Sequence, residues 1–405
     1  MEHPYSKIVI QKYGGSSVAT IEKLEAIAHR VVQKQRDGFG VVVVVSAMGN
    51  TTDNLLKLCA QITDAPPPRE LDMLLSTGER TTMALLSIAI QKFGAQSISF
   101  TGSQSGIITT DSHSNARIIS VRPYRIQDEL DKNKIVIVAG FQGTSYKNEI
   151  TTLGRGGSDM TAIALAGALN AEACEIYSDV SGVFSADPKV VLDAQKIDEL
   201  SSAEMLELAQ HGAKVLHDDA ILYAQRHQIA LYAKKSMSNE EGSFIRPDGW
   251  PKFALENAKI KPIAVISAKK LLYVNVNASK EVLDNVASAI LSRNDFKTLN
   301  LVRNASSFSG LFDVWNCNSM HTFLPQMEKN CEHARDYSLR TDVKNVSLIG
   351  LDIGRHPHIL TQAIDILDNE KIRVLQIFTE PNALTFVMDE NDAESATRHL
   401  HTLID

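Results

Sequence analysis

The chain has 405 residues, 44% hydrophobic and 22% charged, which is ordinary globular composition and enough length for two or three domains with their own cores. A formal net charge of -7, without any Lys/Arg cluster interleaved with aromatics, argues against a nucleic-acid partner, and no segment approaches the ~18 apolar residues of a membrane span. Cys59, Cys174, Cys317 and Cys331 lie far apart with no C-x-x-C pair, and residues 1–7 show no basic stretch ahead of an apolar run, so neither a zinc site nor a disulfide framework is expected and a reducing, cytoplasmic setting is.

In chain order, the first predicted strand is Lys7–Lys12, followed by Tyr13-Gly14-Gly15-Ser16-Ser17 and a helix over about 21–35. Strand, glycine turn with serine caps, and helix make the phosphate-binding opening of an α/β fold. The lysine precedes the glycines and no G-K-[ST] follows, so this is not a Walker A loop; a plain βα turn with a solvent lysine is the alternative. Val41–Val45 is β-branched, too short for a helix and bounded by glycines, which predicts a central parallel strand. Ligands bind beyond such strand ends, which makes Ser46, Asn50, Thr51 and Thr52 candidate site groups, against the alternative of an ordinary N-capped loop.

After Pro66-Pro67-Pro68 a helical stretch over about 70–93 is expected to break at Ser76-Thr77-Gly78-Glu79-Arg80, with Glu79 and Arg80 read alone as a surface ion pair. Ser97–Phe100 and Lys134–Val138 are further strands, each ending in a glycine turn. The repetition predicts a doubly wound sheet with ligand groups along one edge.

The stretch Gly154-Arg155-Gly156-Gly157-Ser158-Asp159 runs straight into an Ala/Leu-rich helix, which places glycines where helix-start N–H groups lack intrahelical partners. That is an anion cradle. Arg155 can fork onto a carboxylate or phosphate, and Asp159 can hold an ammonium or a lysine, so the ligand should carry both charges. Cys174–Ser178 is another strand, ending at Asp179. The loop from Ser181 past Phe184 to Asp187-Pro188-Lys189 suits a nucleotide edge or an ordinary solvated loop equally. Ser201-x-x-Glu204 is a capping box opening a helix that leads to His211-Gly212-Ala213-Lys214, and His211 and His217 lack metal-pair spacing and read as structural.

A polar, Pro/Gly-broken segment over about 240–259 marks a domain boundary. Beyond it lies a weak repeat in which each copy is a strand, a helix, two strands and a helix: 272–329 and 346–400. Such units bury one sheet face and leave edges able to pair with a second copy.

Taken together and in order, these pieces resemble the aspartokinases of the amino acid kinase family. They are Lys12–Val18, Val45–Gly49, Arg69–Glu79, Ala139–Gly143, Thr151–Asp159, Ser178–Phe184 and Gly212–His217, with a C-terminal repeat similar to paired ACT domains. The resemblance spans nearly the whole chain. It implies an α/β catalytic domain of three αβα layers with a mostly parallel sheet, carbamate-kinase-like, over 1–245. A linker over 246–260 and two α+β ACT-like βαββαβ modules over 261–343 and 344–405 would follow. The strand Pro262–Ser267 is expected to complete the sheet of the second module rather than the first.

The implied chemistry is transfer of the ATP γ-phosphoryl group to the side-chain carboxylate of L-aspartate, the first step towards lysine, threonine and methionine, with Mg²⁺ entering with ATP. By resemblance, Lys12 neutralises the migrating phosphoryl while Tyr13, Gly14 and Gly15 meet the phosphates. Arg155, with Gly156, Gly157 and Ser158, clamps the aspartate α-carboxylate, Glu79 meets its ammonium, and Thr52 adds a hydroxyl. Asp159 either holds Lys12 or helps at the ammonium. Ser46, Ser178, Asp179, Phe184, Asp187, Lys189 and Lys214 line the nucleotide site, and no resident metal is implied.

Three departures from the family pattern stand out. Phe184 occupies a common tyrosine position, Asp218-Asp219 replaces a common Pro-Arg pair, and the stretches Ser279–Glu281 and Asp295–Asn300 lack the pattern of lysine- or threonine-binding relatives. A homo-oligomer, dimer or larger, through the ACT-like modules is implied, and so is an amino-acid effector, although lysine inhibition is expected to be weak. The alternatives are an amino acid kinase acting on glutamate or acetylglutamate, and a catalytically silent amino-acid sensor.

Overall fold

The computed structural model describes residues 5, 7–154, 156–213, 215–248, 260–267, 271–293, 296–314 and 320–404. Arg155, Lys214, Asp295, Cys317 and most of the expected linker lie outside the described residues. The chain divides into two compact units, one of Met1–Val183, Lys196–Leu206 and Lys214–Pro251, the other of Phe184–Gln195, Glu207–Ala213 and Lys252–Asp405.

The first unit opens with β1 (Lys7–Tyr13), α1 (Ile21–Arg36), β2 (Phe39–Val45), α2 (Thr51–Ala60), α3 (Pro68–Lys92) and β3 (Ser97–Phe100). Next come β4 (Ile107–Thr109), β5 (Ile118–Val121), α4 (Tyr124–Leu130), β6 (Ile135–Ala139), β7 (Gln142–Ser145), β8 (Ile150–Thr152), α5 (Gly157–Ala168) and β9 (Ala173–Ser178). The short strands β10 (Val183–Phe184), β11 (Lys196–Ile197) and β12 (Glu199–Ser201) precede α6 (Ser202–Gln210), α7 (Asp218–Arg226), β13 (Leu231–Lys235) and β14 (Ser243–Arg246).

Eight strands form one sheet in the order β12-β14-β13-β9-β1-β2-β6-β3, parallel from β13 through β3, with β13 and β14 antiparallel. Side chains alternate across it. Val9, Tyr13, Val41, Val43, Val45, Ile135 and Ile137 form one core with Leu24, Ile27 and Val31 of α1 and Leu86 and Ile90 of α3. On the opposite face α5 packs on β1, β2 and β9, with Ala162 to Leu165 fully buried. The result is three αβα layers. A four-stranded sheet, β5-β4-β7-β8, supplies the strand that leads into the loop before α5.

The break expected in the helix at 76–80 does not occur: α3 is continuous over 25 residues. Glycine inside a helix costs about 1 kcal/mol relative to alanine, and here it answers a packing need. A Cβ on Gly78 would lie 2.8 Å from the Ala47 Cβ, so the glycine lets α3 close onto the loop after β2.

In the second unit, β16 (Leu271–Asn277), β17 (Phe296–Arg303), β18 (Ser307–Val314) and β19 (Asp336–Arg340) form a sheet in the order β17-β18-β16-β19. The other sheet runs β15-β20-β22-β21, from β15 (Ala264–Ser267), β20 (Val343–Ile349), β21 (Val374–Glu380) and β22 (Ala383–Asp389). Strand β15 pairs antiparallel with β20, so it joins the later module. Helices Lys280–Leu291 and Met320–Asn330 cover the first sheet, and Pro357–Asn369 and Ala393–Leu400 the second. Leu271, Tyr273, Leu311, Val343, Phe378 and Val387 form a further core shared by the two sheets. Among the described residues no helix is long and apolar enough to cross a membrane.

Candidate active site

The loops after β1, β2, β6 and β9 meet at the C-terminal edge of the large sheet, where open α/β sheets bind ligands. Backbone bonds stitch them together: Gly14 N–H donates to Tyr177 O at 3.2 Å, Ser46 N–H to Tyr13 O at 3.1 Å, Gly49 N–H to Gly15 O at 3.0 Å and Gly140 N–H to Val45 O at 3.0 Å. A Cβ on Gly15 would stand 2.9 Å from Ala47 O, so only glycine fits that turn. Bare backbone with an ammonium beside it suits a polyphosphate, and the Lys12 Nζ lies 3.7 Å from where a Gly14 Cβ would be.

Lys12 reaches that place because β1 alternates. Gln11 and Tyr13 face α1, while Lys12 faces α5 and pairs with Asp159 Oδ1 at 2.5 Å, both side chains mostly buried. In the ligand-free protein Asp159 therefore holds Lys12. The same alternation turns Tyr13 to the α1 face. The Tyr13 ring is fully buried, stacks on Tyr177 with centroids 4.7 Å apart, and its hydroxyl donates to Gln11, so Tyr13 offers a ligand only its backbone.

Glu79 is not in a surface ion pair with Arg80, whose Nε turns to Gln142 Oε1 at 3.2 Å. It is 4% exposed, its Oε1 accepts from the Ala47 N–H at 3.1 Å, and its Oε2 is buried without a hydrogen-bond partner. Burial pushes its carboxyl up to about 7. A buried carboxylate with one bare oxygen fits an arriving ammonium.

The start of α5 is built from left-handed turns, Gly154 at φ +75 and Gly156 at φ +67. A Cβ on Gly156 would strike the His217 ring at 2.6 Å, and His217 Nδ1 lies 3.0 Å from Asp218 Oδ1, so His217 packs on the Gly156 turn. Ser158 is buried, and Gly140 leaves room for it, since a Cβ there would meet its Oγ at 2.8 Å. Ser46 and Thr52 are half-buried at the ends of the loop after β2, Ser178 is half-buried at the end of β9, and Asp179 is exposed beyond it. Phe184, Asp187 and Lys189 belong to the segment grouped with the second unit, with Asp187 Oδ1 accepting from the Lys189 N–H at 2.9 Å. Arg155 and Lys214 lie outside the described residues.

Two groups went unnoticed in the sequence. Ser236 Oγ bonds both Ser17 and the Ser178 carbonyl, tying the glycine turn to β9, while Arg30 donates to the Ser236 carbonyl. Asp72, two turns before Glu79 on α3, is fully buried. The polar residues Asp72, Ser76 and Glu79 share one helix face, and that spacing was the available signal.

The model of the amino acid kinase family matches residues 7–233. An aspartokinase of Corynebacterium glutamicum is 40% identical over 402 residues, 97% of this chain and 95% of that protein. An aspartokinase of Mycolicibacterium smegmatis is 53% identical over 240 residues, a match spanning 59% of this chain and 57% of that relative's length. Among solved structures, E. coli aspartokinase III in complex with aspartate and ADP aligns with a TM-score of 0.78 and 23% identity, over 98% of this chain and 100% of that one, a likeness of fold. Aspartate kinase from Synechocystis aligns with a TM-score of 0.56 and 32% identity, over 98% of this chain and 69% of that one. A family model over more than half of the chain, and a relative 40% identical along nearly all of it, place this chain in the aspartokinases of the amino acid kinase family.

Proposed function

We propose that the loops around Lys12 carry out the aspartokinase reaction, ATP-dependent phosphorylation of the side-chain carboxylate of L-aspartate to 4-phospho-L-aspartate. The observation that carries this reading is the Lys12–Asp159 pair, which fixes an ammonium beside the glycine turn. Phosphoryl transfer needs alignment and charge neutralisation more than covalent help, and the nucleophile is already a carboxylate at neutral pH, so no general base is required. With the Gly14 N–H held by the Tyr177 carbonyl, Gly15 presents its amide to phosphate oxygens, Gly14 leaves the approach to Lys12 open, and Lys12 follows the phosphoryl group as it moves. Glu79 Oε2 takes the substrate ammonium, Arg155 the α-carboxylate beside the first turn of α5, and Thr52 a further contact. Ser46, Ser178, Asp179, Phe184, Asp187, Lys189 and Lys214 border the nucleotide. Mg²⁺ entering with ATP would supply further neutralisation of the phosphate charge beside Lys12.

E. coli aspartokinase III has been solved with aspartate and ADP, in keeping with this pairing of substrates. The two helix-covered sheets of the second unit support a reading as ACT-like modules, and their edge strands, β17 and β19 in one and β15 and β21 in the other, could meet a second copy. We therefore assign a cytoplasmic homo-oligomeric enzyme with a catalytic unit and a sensing unit. Replacing Lys12 by alanine should lower kcat by about a hundredfold or more with little change in aspartate KM. Wild-type turnover in that variant would make Lys12 merely structural and overturn the reading.

A further inference from the structure

We propose that Asp72 is a positioning residue for the amino-acid side of the site, holding the turn from Thr152 to Gly154 in register with Glu79. The steps above make no use of it. Its carboxylate is fully buried, and every partner comes from another element. The Ser114 N–H donates to Oδ1 at 3.0 Å and Oδ2 at 3.1 Å, the Thr152 hydroxyl to Oδ1 at 2.6 Å, and His113 Nδ1 lies 2.7 Å from Oδ2. A buried carboxylate is tolerated only when its lone pairs are filled, and filled ones rigidify what they join.

What they join leads to the Gly154 turn by two routes. Thr152 ends β8, and Leu153 and Gly154 are all that separate it from Arg155. Ser114 stands at φ +65, a region disfavoured for a residue with a Cβ, and its N–H is the one that Asp72 holds. The next residue, Asn115, rests on the Gly154 turn, with its Oδ1 3.0 Å from where a Gly154 Cβ would stand. On α3 itself, two turns beyond Asp72, is Glu79, and between them the Ser76 carbonyl accepts from Gln142 Nε2 at 3.0 Å. One rigid helix thus carries the ammonium ligand and the anchor of the carboxylate clamp. The two charges of an α-amino acid sit at a fixed separation, so the clamps must keep a fixed separation too.

The inference rests on Arg155 holding the α-carboxylate. Steady-state kinetics of the full chain test it with two variants. Asp72→Asn keeps the shape but sets an amide against the Ser114 N–H, and should raise aspartate KM about tenfold while ATP KM stays within about twofold. Thr152→Val removes one donor from the buried carboxylate and should raise aspartate KM about threefold with ATP KM unchanged, alongside a lowered melting midpoint. Should Asp72→Asn fail to fold, Thr152→Val decides alone. A wild-type aspartate KM in the folded variants, or an equal rise in both KM values, would overturn the inference, since general loosening affects both substrates. Arg155→Lys separates the two ideas. If it raises aspartate KM while Asp72→Asn and Thr152→Val do not, the clamp stands and the Asp72 role falls; if it leaves aspartate KM unchanged, the clamp reading fails and takes the Asp72 role with it.

Discussion

Burial raises the Glu79 carboxyl to about 7, so at neutral pH the ligand-free protein holds it as a mixture of acid and carboxylate. Only the carboxylate pairs with an ammonium, so aspartate should bind more tightly as pH rises towards 7 and level off above it. Calorimetry near pH 7 in buffers of different ionisation enthalpy should show proton release on aspartate binding, and Glu79→Gln should abolish it. Stability follows the same group with a definite sign. Its folded value lies above the ordinary 4.5, so this contribution is complete below about 4.5 and is lost as pH rises through about 7. The loss is on the order of 3 kcal/mol. Glu79→Gln should therefore melt above wild type at pH 8, and the gap should close at pH 5; a gap that widens towards acid would contradict the assignment.

The approach of α3 to the loop after β2 decides where Glu79 points, and Gly78 permits it. Gly78→Ala gains about 1 kcal/mol of helix propensity, but its methyl would meet the Ala47 Cβ at 2.8 Å. Overpacking of that kind costs typically 1–3 kcal/mol. The clash should win, lowering the melting point and weakening aspartate binding because the Ala47 N–H is the Glu79 donor. Alanine that raises the melting point and leaves binding intact would contradict this packing account. Much at this scale was legible in the sequence. The β-branched run at Val41–Val45 is a central strand, and Ser201 and Glu204 form the reciprocal cap, with Ser201 N–H donating to Glu204 Oε2 at 2.7 Å and Glu204 N–H to Ser201 Oγ at 3.2 Å. The burial of Glu79 was not legible, because an adjacent Glu-Arg pair looks alike on a surface and against a loop. The side on which the Tyr13 ring lies was legible from strand parity, since Lys12 and Tyr13 must face opposite sides of the sheet.

At the scale of the whole molecule, strand β15 pairs with β20 across the intervening module, so the two sheets of the second unit are interleaved along the chain, and the sequence repeat alone would cut them apart. Strand β17 carries a register shift between Thr298 and Asn300, within the stretch from which weak lysine inhibition is expected. Lysine alone should inhibit this chain weakly. Strong inhibition at sub-millimolar lysine would contradict that expectation. Sedimentation should show an oligomer, and a single-chain particle at every concentration would argue against pairing through the second unit. The most direct test of the whole account is a coupled assay of ADP release with L-aspartate, L-glutamate and N-acetylglutamate side by side. Turnover is expected with aspartate and none with the other two; turnover with glutamate and none with aspartate would contradict the proposed reaction.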